Sequence, residues 1–152
     1  TGFLMLYKHN ATYSNENSIS DLKTKEELPS GPFLQMGDTV IPVELATTSS
    51  ALQKGLSGRT RLDSKSGMLF IFSNPAIYQF WMPDMHFSID IIWIQNGIIV
   101  DMDENVSNDF DPAEPIFYSP GVAVQYVLEV NSGFAKDHDI TTGQHVIFNN
   151  IE

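Results

Sequence analysis

The chain has 152 residues, 42% of them hydrophobic, enough for one domain of ordinary size with a real core. It carries 8 Lys and Arg against 19 Asp and Glu, a net charge of −11, so most of its surface repels a phosphate backbone and nucleic acid is not an expected partner. Cys is absent, which excludes disulfides, thiolate metal sites and a Cys nucleophile.

In chain order, residues 2–7 are apolar and too few to span a bilayer, which needs about 20 residues. They read as a short hydrophobic arm or as the tail of a signal or anchor segment. Residues 10–37 are polar and end in Pro29, Gly31 and Pro32, which reads as a linker, with one helical turn over 23–28. The expected division is an arm or stalk over 1–37 and a single compact domain over 38–152. Removing 1–37 is then expected to leave a folded domain.

Residues 39–45 alternate β-branched and polar side chains and predict a strand, with Pro42 suited to a sheet edge. Residues 47–56 predict a short helix capped by Thr or Ser, with Ala51, Leu52 and Leu56 as its apolar stripe. The apolar run 67–72 predicts a buried strand, 73–75 a turn, and 78–82 a short aromatic strand. Residues 88–94 and 98–101 flank Asn96-Gly97, the strongest hairpin signal in the chain, because both central positions of a type I′ turn need positive φ. An acidic loop is expected over 104–115, a strand over 122–130, a helix capped by Asn131 and running to His138, and a last strand over 144–148. No βαβ alternation is evident. The expectation is an α+β fold: a mostly antiparallel, partly closed, barrel-like sheet with two short helices.

Several motifs recur in a fixed order: Val43-Glu44-Leu45-Ala46, Lys54-Gly55-Leu56-Ser57-Gly58-Arg59, Gly67-Met68-Leu69-Phe70-Ile71-Phe72, Phe80-Trp81-Met82, Ile89-Asp90-Ile91-Ile92-Trp93-Ile94, and Tyr126-Val127-Leu128-Glu129-Val130-Asn131-Ser132-Gly133, with Gly143 before the last strand. That order resembles the bacterial and archaeal domain-of-unknown-function family 192, over roughly residues 40–148. The resemblance implies a compact, mostly antiparallel β fold and no established activity. It also implies an extracytoplasmic setting, since members often follow a signal peptide or anchor. After the Trp-Met pair relatives commonly carry Lys or Asn, whereas this chain has Pro83, Asp84, Met85 and His86, so no ligand is carried over through that loop.

Two carboxylates interrupt apolar strands. Asp90 shares a face with Ile92 and Ile94, and Glu129 shares one with Val127. A buried carboxylate is costly unless paired or protonated. Residues 54–65 hold four of the five basic residues that follow residue 37, and from 66 to 152 twelve acids meet a single Lys. Arg59, with its planar fork, is therefore the expected partner of Asp90 or Glu129, either as a structural ion pair or as part of a polar site. Trp81, Met82, Met85 and His86 form a second constellation. Met, Met and His are soft ligands in principle, but without Cys or a second His nearby they read as packing, and no metal site or cofactor is expected. Exposed aromatics near this loop could stack on a glycan or clamp a peptide. Asp101, Asp103 and Asn105 match the first alternate positions of a calcium loop, but Val106 replaces the required Gly and Pro112 the bidentate Glu. Motifs for a catalytic Ser, a phosphate loop or a zinc protease are absent.

The function read from these residues is a non-enzymatic, extracytoplasmic binding or interaction module whose partner is a small molecule, glycan or protein. The alternative is a small enzyme using Asp90 or Glu129. A strongly shifted carboxylate beside an open cleft favours the enzyme, and carboxylates tied up by Arg59 beside a shallow aromatic patch favour binding.

Overall fold

A computed structural model describes residues 27–151. Seven strands make one sheet in the order β5-β4-β6-β3-β2-β1-β7. In chain order these are β1 (Phe33–Met36), β2 (Thr39–Ala46), β3 (Gly67–Ala76), β4 (Ile89–Gln95), β5 (Ile98–Val106), β6 (Val124–Asn131) and β7 (Ile147–Asn149). Helix α1 (Ser49–Lys54) follows β2, and α2 (Phe134–Asp137) follows β6. All pairings are antiparallel except β2 with β3. The sheet curls into a half-barrel. The Ile99 amide donates to the Gln144 carbonyl and the Val146 amide to the Gly97 carbonyl, so the segment before β7 attaches to β5 while β7 itself pairs with β1. The expected α+β class and barrel-like sheet are what the chain forms.

The sheet is covered on both faces. Leu69, Ile92, Ile94, Leu128 and Val130 pack with Phe134 and Ala135 of α2 on one side. Phe70, Ile91, Trp93 and Val127 pack with Leu56, Met82 and Met85 on the other. This explains why β4 is a nearly unbroken apolar run rather than an alternation, with only Gln95 not fully buried.

The hairpin forms as expected. Asn96 and Gly97 have φ of 52° and 70°, and Gln95 pairs with Ile98. Helix α1 also forms, with the Thr48 hydroxyl accepting from the Ala51 amide. Several expectations are corrected. β1 precedes the expected domain start at residue 38, and its Phe33, Leu34 and Met36 are core residues, so this stretch belongs to the domain rather than to a linker. β2, α1 and β3 make a parallel βαβ unit, hidden in the sequence because the helix is only six residues long. β3 continues through 73–75 to Ala76, and of residues 78–82 only Phe80 is bridged, to Tyr118. β5 extends into the acidic stretch as far as Val106. The expected hydrophobic arm over 1–7, and the helical turn up to Glu26, lie outside the described residues. Among the described residues no helix is long and apolar enough to cross a membrane.

Candidate functional site

Arg59 does not reach either buried carboxylate. Its Nη1 and Nη2 bond Glu44 on β2 at 2.8 and 2.6 Å, a bidentate pair that holds the Glu44 carboxyl below its usual range. The reason is register: β2 and β3 are parallel neighbours, so the chain returning from α1 passes the exposed face of Glu44. The Glu44 side chain is 59% exposed, so the pair contributes about 0–1 kcal/mol.

Asp90 is wholly buried and finds its donors in the backbone. Oδ1 accepts from the amides of Asn105 and Gly133 at 2.8 and 3.1 Å, and Oδ2 from Ala135 at 3.0 Å. Two of these amides lie at the start of α2, where N–H groups have no partner inside the helix. Asp90 thus caps α2 from β4 and anchors the end of β5. All its acceptor positions face structure, so it is a scaffold residue.

Glu129 is the contrast. On β6, between β3 and β4, it is flanked by Met68 of β3 and Ile91 of β4, neither of whose side chains can donate. It is 6% exposed, and its Oε2 has no hydrogen-bond partner among the described residues. Burial in this setting pushes its pKa up to about 8, so at neutral pH it is mostly a neutral acid.

Beside Glu129 lies an open cavity of about 230 Å³. The C-terminal turn of α1 forms one wall, and a Cβ on Gly55 would stand 3.0 Å from the Phe70 ring and 3.9 Å from Glu129 Oε2. Phe70, Phe72, Tyr78, Phe80 and Trp81 form much of the rest. These rings brace one another: Phe80 meets Phe70 and Trp93 edge-to-face at 5.0 and 5.3 Å, and Phe72 stacks on Tyr78. The α1 turn is pinned to the opposite loop by Ser57 Oγ donating to the Pro83 carbonyl and by the Gly58 amide donating to the Asp84 carbonyl. At the mouth, Trp81 is half exposed and stacks on Phe117, with Phe110 edge-on.

The sequence-predicted candidates therefore separate. Glu129, Trp81 and Met82 meet at the cavity; Asp90 and Arg59 do not. Met82 and Met85 are core residues that also line the cavity, while His86 Nε2 lies at the surface, 3.5 Å from Asp84 Oδ1. In the acidic stretch Asp103 accepts from the Trp93 indole at 2.8 Å and Asp101 from the amides of Met102 and Gly121, so these carboxylates hold structure together. Among the described residues no cluster of His and carboxylates could hold a metal. Sequence reasoning missed Phe70, Phe72 and Lys54 as cavity residues. The alternation of Met68, Phe70 and Phe72 on one face of β3 was the available signal, but only the pairing of Met68 with Glu129 sets that face over the carboxyl.

Fold and cavity together define a half-barrel domain of α+β class with a ligand-sized cleft on the outer face of its sheet. The chain belongs to the family described as uncharacterized ACR, domain of unknown function 192, which matches residues 33–148. It is similar to a crystal structure from Sinorhizobium meliloti described as that of a proposed transcription regulator, at 26% identity and a TM-score of 0.69, covering 79% of this chain and 93% of that one. It is also similar to a protein of unknown function from Novosphingobium aromaticivorans, at 29% identity and a TM-score of 0.68, covering 76% and 83%. No curated protein matches the chain. No reaction is identified for the family or for these neighbours.

Proposed function

We propose that this domain is a non-enzymatic binding module that takes a small molecule into the cavity beside Glu129. The observation that carries the reading is the Glu129 carboxyl oxygen, buried without a partner among the described residues at the edge of an open aromatic cleft. A buried unpaired acceptor costs about 1–3 kcal/mol, which a bound ligand can return. A cleft with apolar walls and one polar group is the ordinary form of a small-molecule site. The surface charge of −11 argues against DNA, so the regulator description of the Sinorhizobium protein is not carried over. The setting we propose is extracytoplasmic. It rests on the apolar residues 2–7 followed by a polar stretch, and protease accessibility of the tagged protein in spheroplasts tests it.

One observation favours the enzyme reading: a carboxyl with its pKa raised toward neutrality beside an open cleft is the usual state of a general acid. Against it stands how few groups among the described residues could act together with Glu129. Besides Glu129 the cavity presents Lys54 and Tyr78 as titratable side chains, and the Tyr78 hydroxyl is engaged with the Asn74 carbonyl. A fragment screen by protein-observed NMR, with each fragment analysed afterwards, separates the two readings. Binding predicts hits that shift the Trp81 indole and Glu129 side-chain signals and are recovered unchanged. A hit converted to product by wild type but not by Glu129→Gln would make the protein an enzyme. A library with no hit at these signals would overturn the cavity as a site.

A further inference from the structure

We infer that the ligand of this cavity is a small organic cation, with Glu129 as its counter-ion and the surrounding aromatic rings as its walls; the inference rests on the binding reading above. Three observations converge. The Glu129 oxygen next to the cavity is more than nine-tenths buried and has no partner among the described residues, so a group that satisfies it must come from outside them. The surrounding surface includes five aromatic rings and two methionine side chains, whose electron-rich π-systems and polarizable sulfurs favour cations over anions of the same size, against the opposing charge of the Lys54 ammonium on its flexible stem. The net charge of −11 draws cations toward the surface and repels anions.

The groups that face Glu129 decide the pH behaviour. On the flanking strands Met68 and Ile91 do not titrate. From the cavity walls come the Lys54 ammonium, next to Gly55 at the end of α1, and the Tyr78 hydroxyl. Asp84 and His86, on the loop beside Met85, have half or more of their side chains exposed. Without ligand, burial keeps Glu129 protonated up to about pH 8. An organic cation binds the carboxylate form, so its entry expels the Glu129 proton to solvent. Binding below that pH is therefore coupled to release of one proton. Affinity rises about tenfold per pH unit until the free protein has itself lost the proton. A neutral ligand would instead bond the protonated acid and lose affinity as pH rises.

Titration calorimetry with choline, a permanent cation, tests this against the all-carbon analogue in which tert-butyl replaces trimethylammonium. Buffers of different ionisation enthalpy count the protons. The expected result is tighter binding of choline than of its analogue, release of about one proton near pH 6.5, and an affinity gain of about tenfold per unit up to about pH 7.5. Glu129→Gln should weaken choline at least tenfold and leave the analogue unchanged. If that variant folds poorly, carbon-13 NMR of Glu129 in the wild-type protein gives the same information, since choline should lower its titration midpoint. An analogue that binds as well as choline overturns the cation inference and leaves the binding cavity standing. Choline bound without proton release overturns Glu129 as counter-ion. Neither probe binding overturns the inference, while the fragment screen decides the cavity independently.

Discussion

Among the described residues the two buried acidic side chains, Asp90 and Glu129, sit on opposite faces of the same three strands and behave oppositely, because one meets backbone amides and the other meets hydrocarbon. Asp90→Ala would strand the amides of Asn105, Gly133 and Ala135, and an expected loss of about 3–5 kcal/mol should be measured by urea unfolding. A loss under about 1 kcal/mol would mean that water replaces the carboxylate. Glu129 predicts a pH dependence. Its folded pKa of about 8 lies above the ordinary 4.5, so in this window the native state holds a proton that the unfolded chain has lost. Stability from this group is full below about pH 4.5, falls as pH rises, and levels off above about 8, a total on the order of 5 kcal/mol. Glu129→Gln should flatten that slope in unfolding curves taken between pH 5 and 8. An equal slope in both proteins would mean that water or a cation already serves Glu129 in the free state. That both positions needed a partner was legible from a carboxylate within an apolar run. Which one found it was not, because the donors of Asp90 come from segments 15 to 45 residues further along.

At the level of elements, the β3–β6 pairing positions the site, and it depends on close approach at Gly67. A Cβ there would stand 2.7 Å from Leu128 Cδ1 and 2.9 Å from the Glu129 carbonyl oxygen, which is backbone and cannot swing aside. Gly67→Ala should therefore cost about 1–3 kcal/mol by overpacking, and should shift the amide signals of Leu128 and Glu129 more than those of the β4–β5 hairpin. Hairpin signals moving as much would show that the whole sheet yields instead. The hairpin and α1 could be read locally, since a type I′ turn and a Thr cap each depend on a few adjacent residues. The extension of β3 through Pro75 could not, because β3 and β6 fall out of register between Ile71 and Ala76 and the irregularity absorbs the proline.

For the whole molecule, closure depends on both ends of the described chain. β1 lies between β2 and β7, and Leu34 and Met36 are almost fully buried in the cluster beneath α2. Deleting residues 1–37 should therefore abolish a single cooperative thermal transition, the reverse of what the polar composition before residue 38 suggests. Retention of a sharp transition by the truncated protein would mean that β7 can close directly on β2. β1 escaped sequence reasoning because it is four residues long and follows a Pro- and Gly-bounded stretch, so its apolar side chains were too few to stand out as a strand.

What the sequence determined by itself is whatever short-range chemistry decides: the fold class, the Asn96-Gly97 turn, the capped α1, the apolar central strands and the need of Asp90 and Glu129 for special surroundings. Tertiary structure alone decided that Arg59 serves Glu44, that Asp90 caps α2, and that Glu129 is left unpartnered beside an aromatic cavity. The physical reason is strand register. Side chains alternate faces with a period of two, and the partner of a given carboxyl is set by how segments far apart in the chain are aligned, which no local pattern encodes.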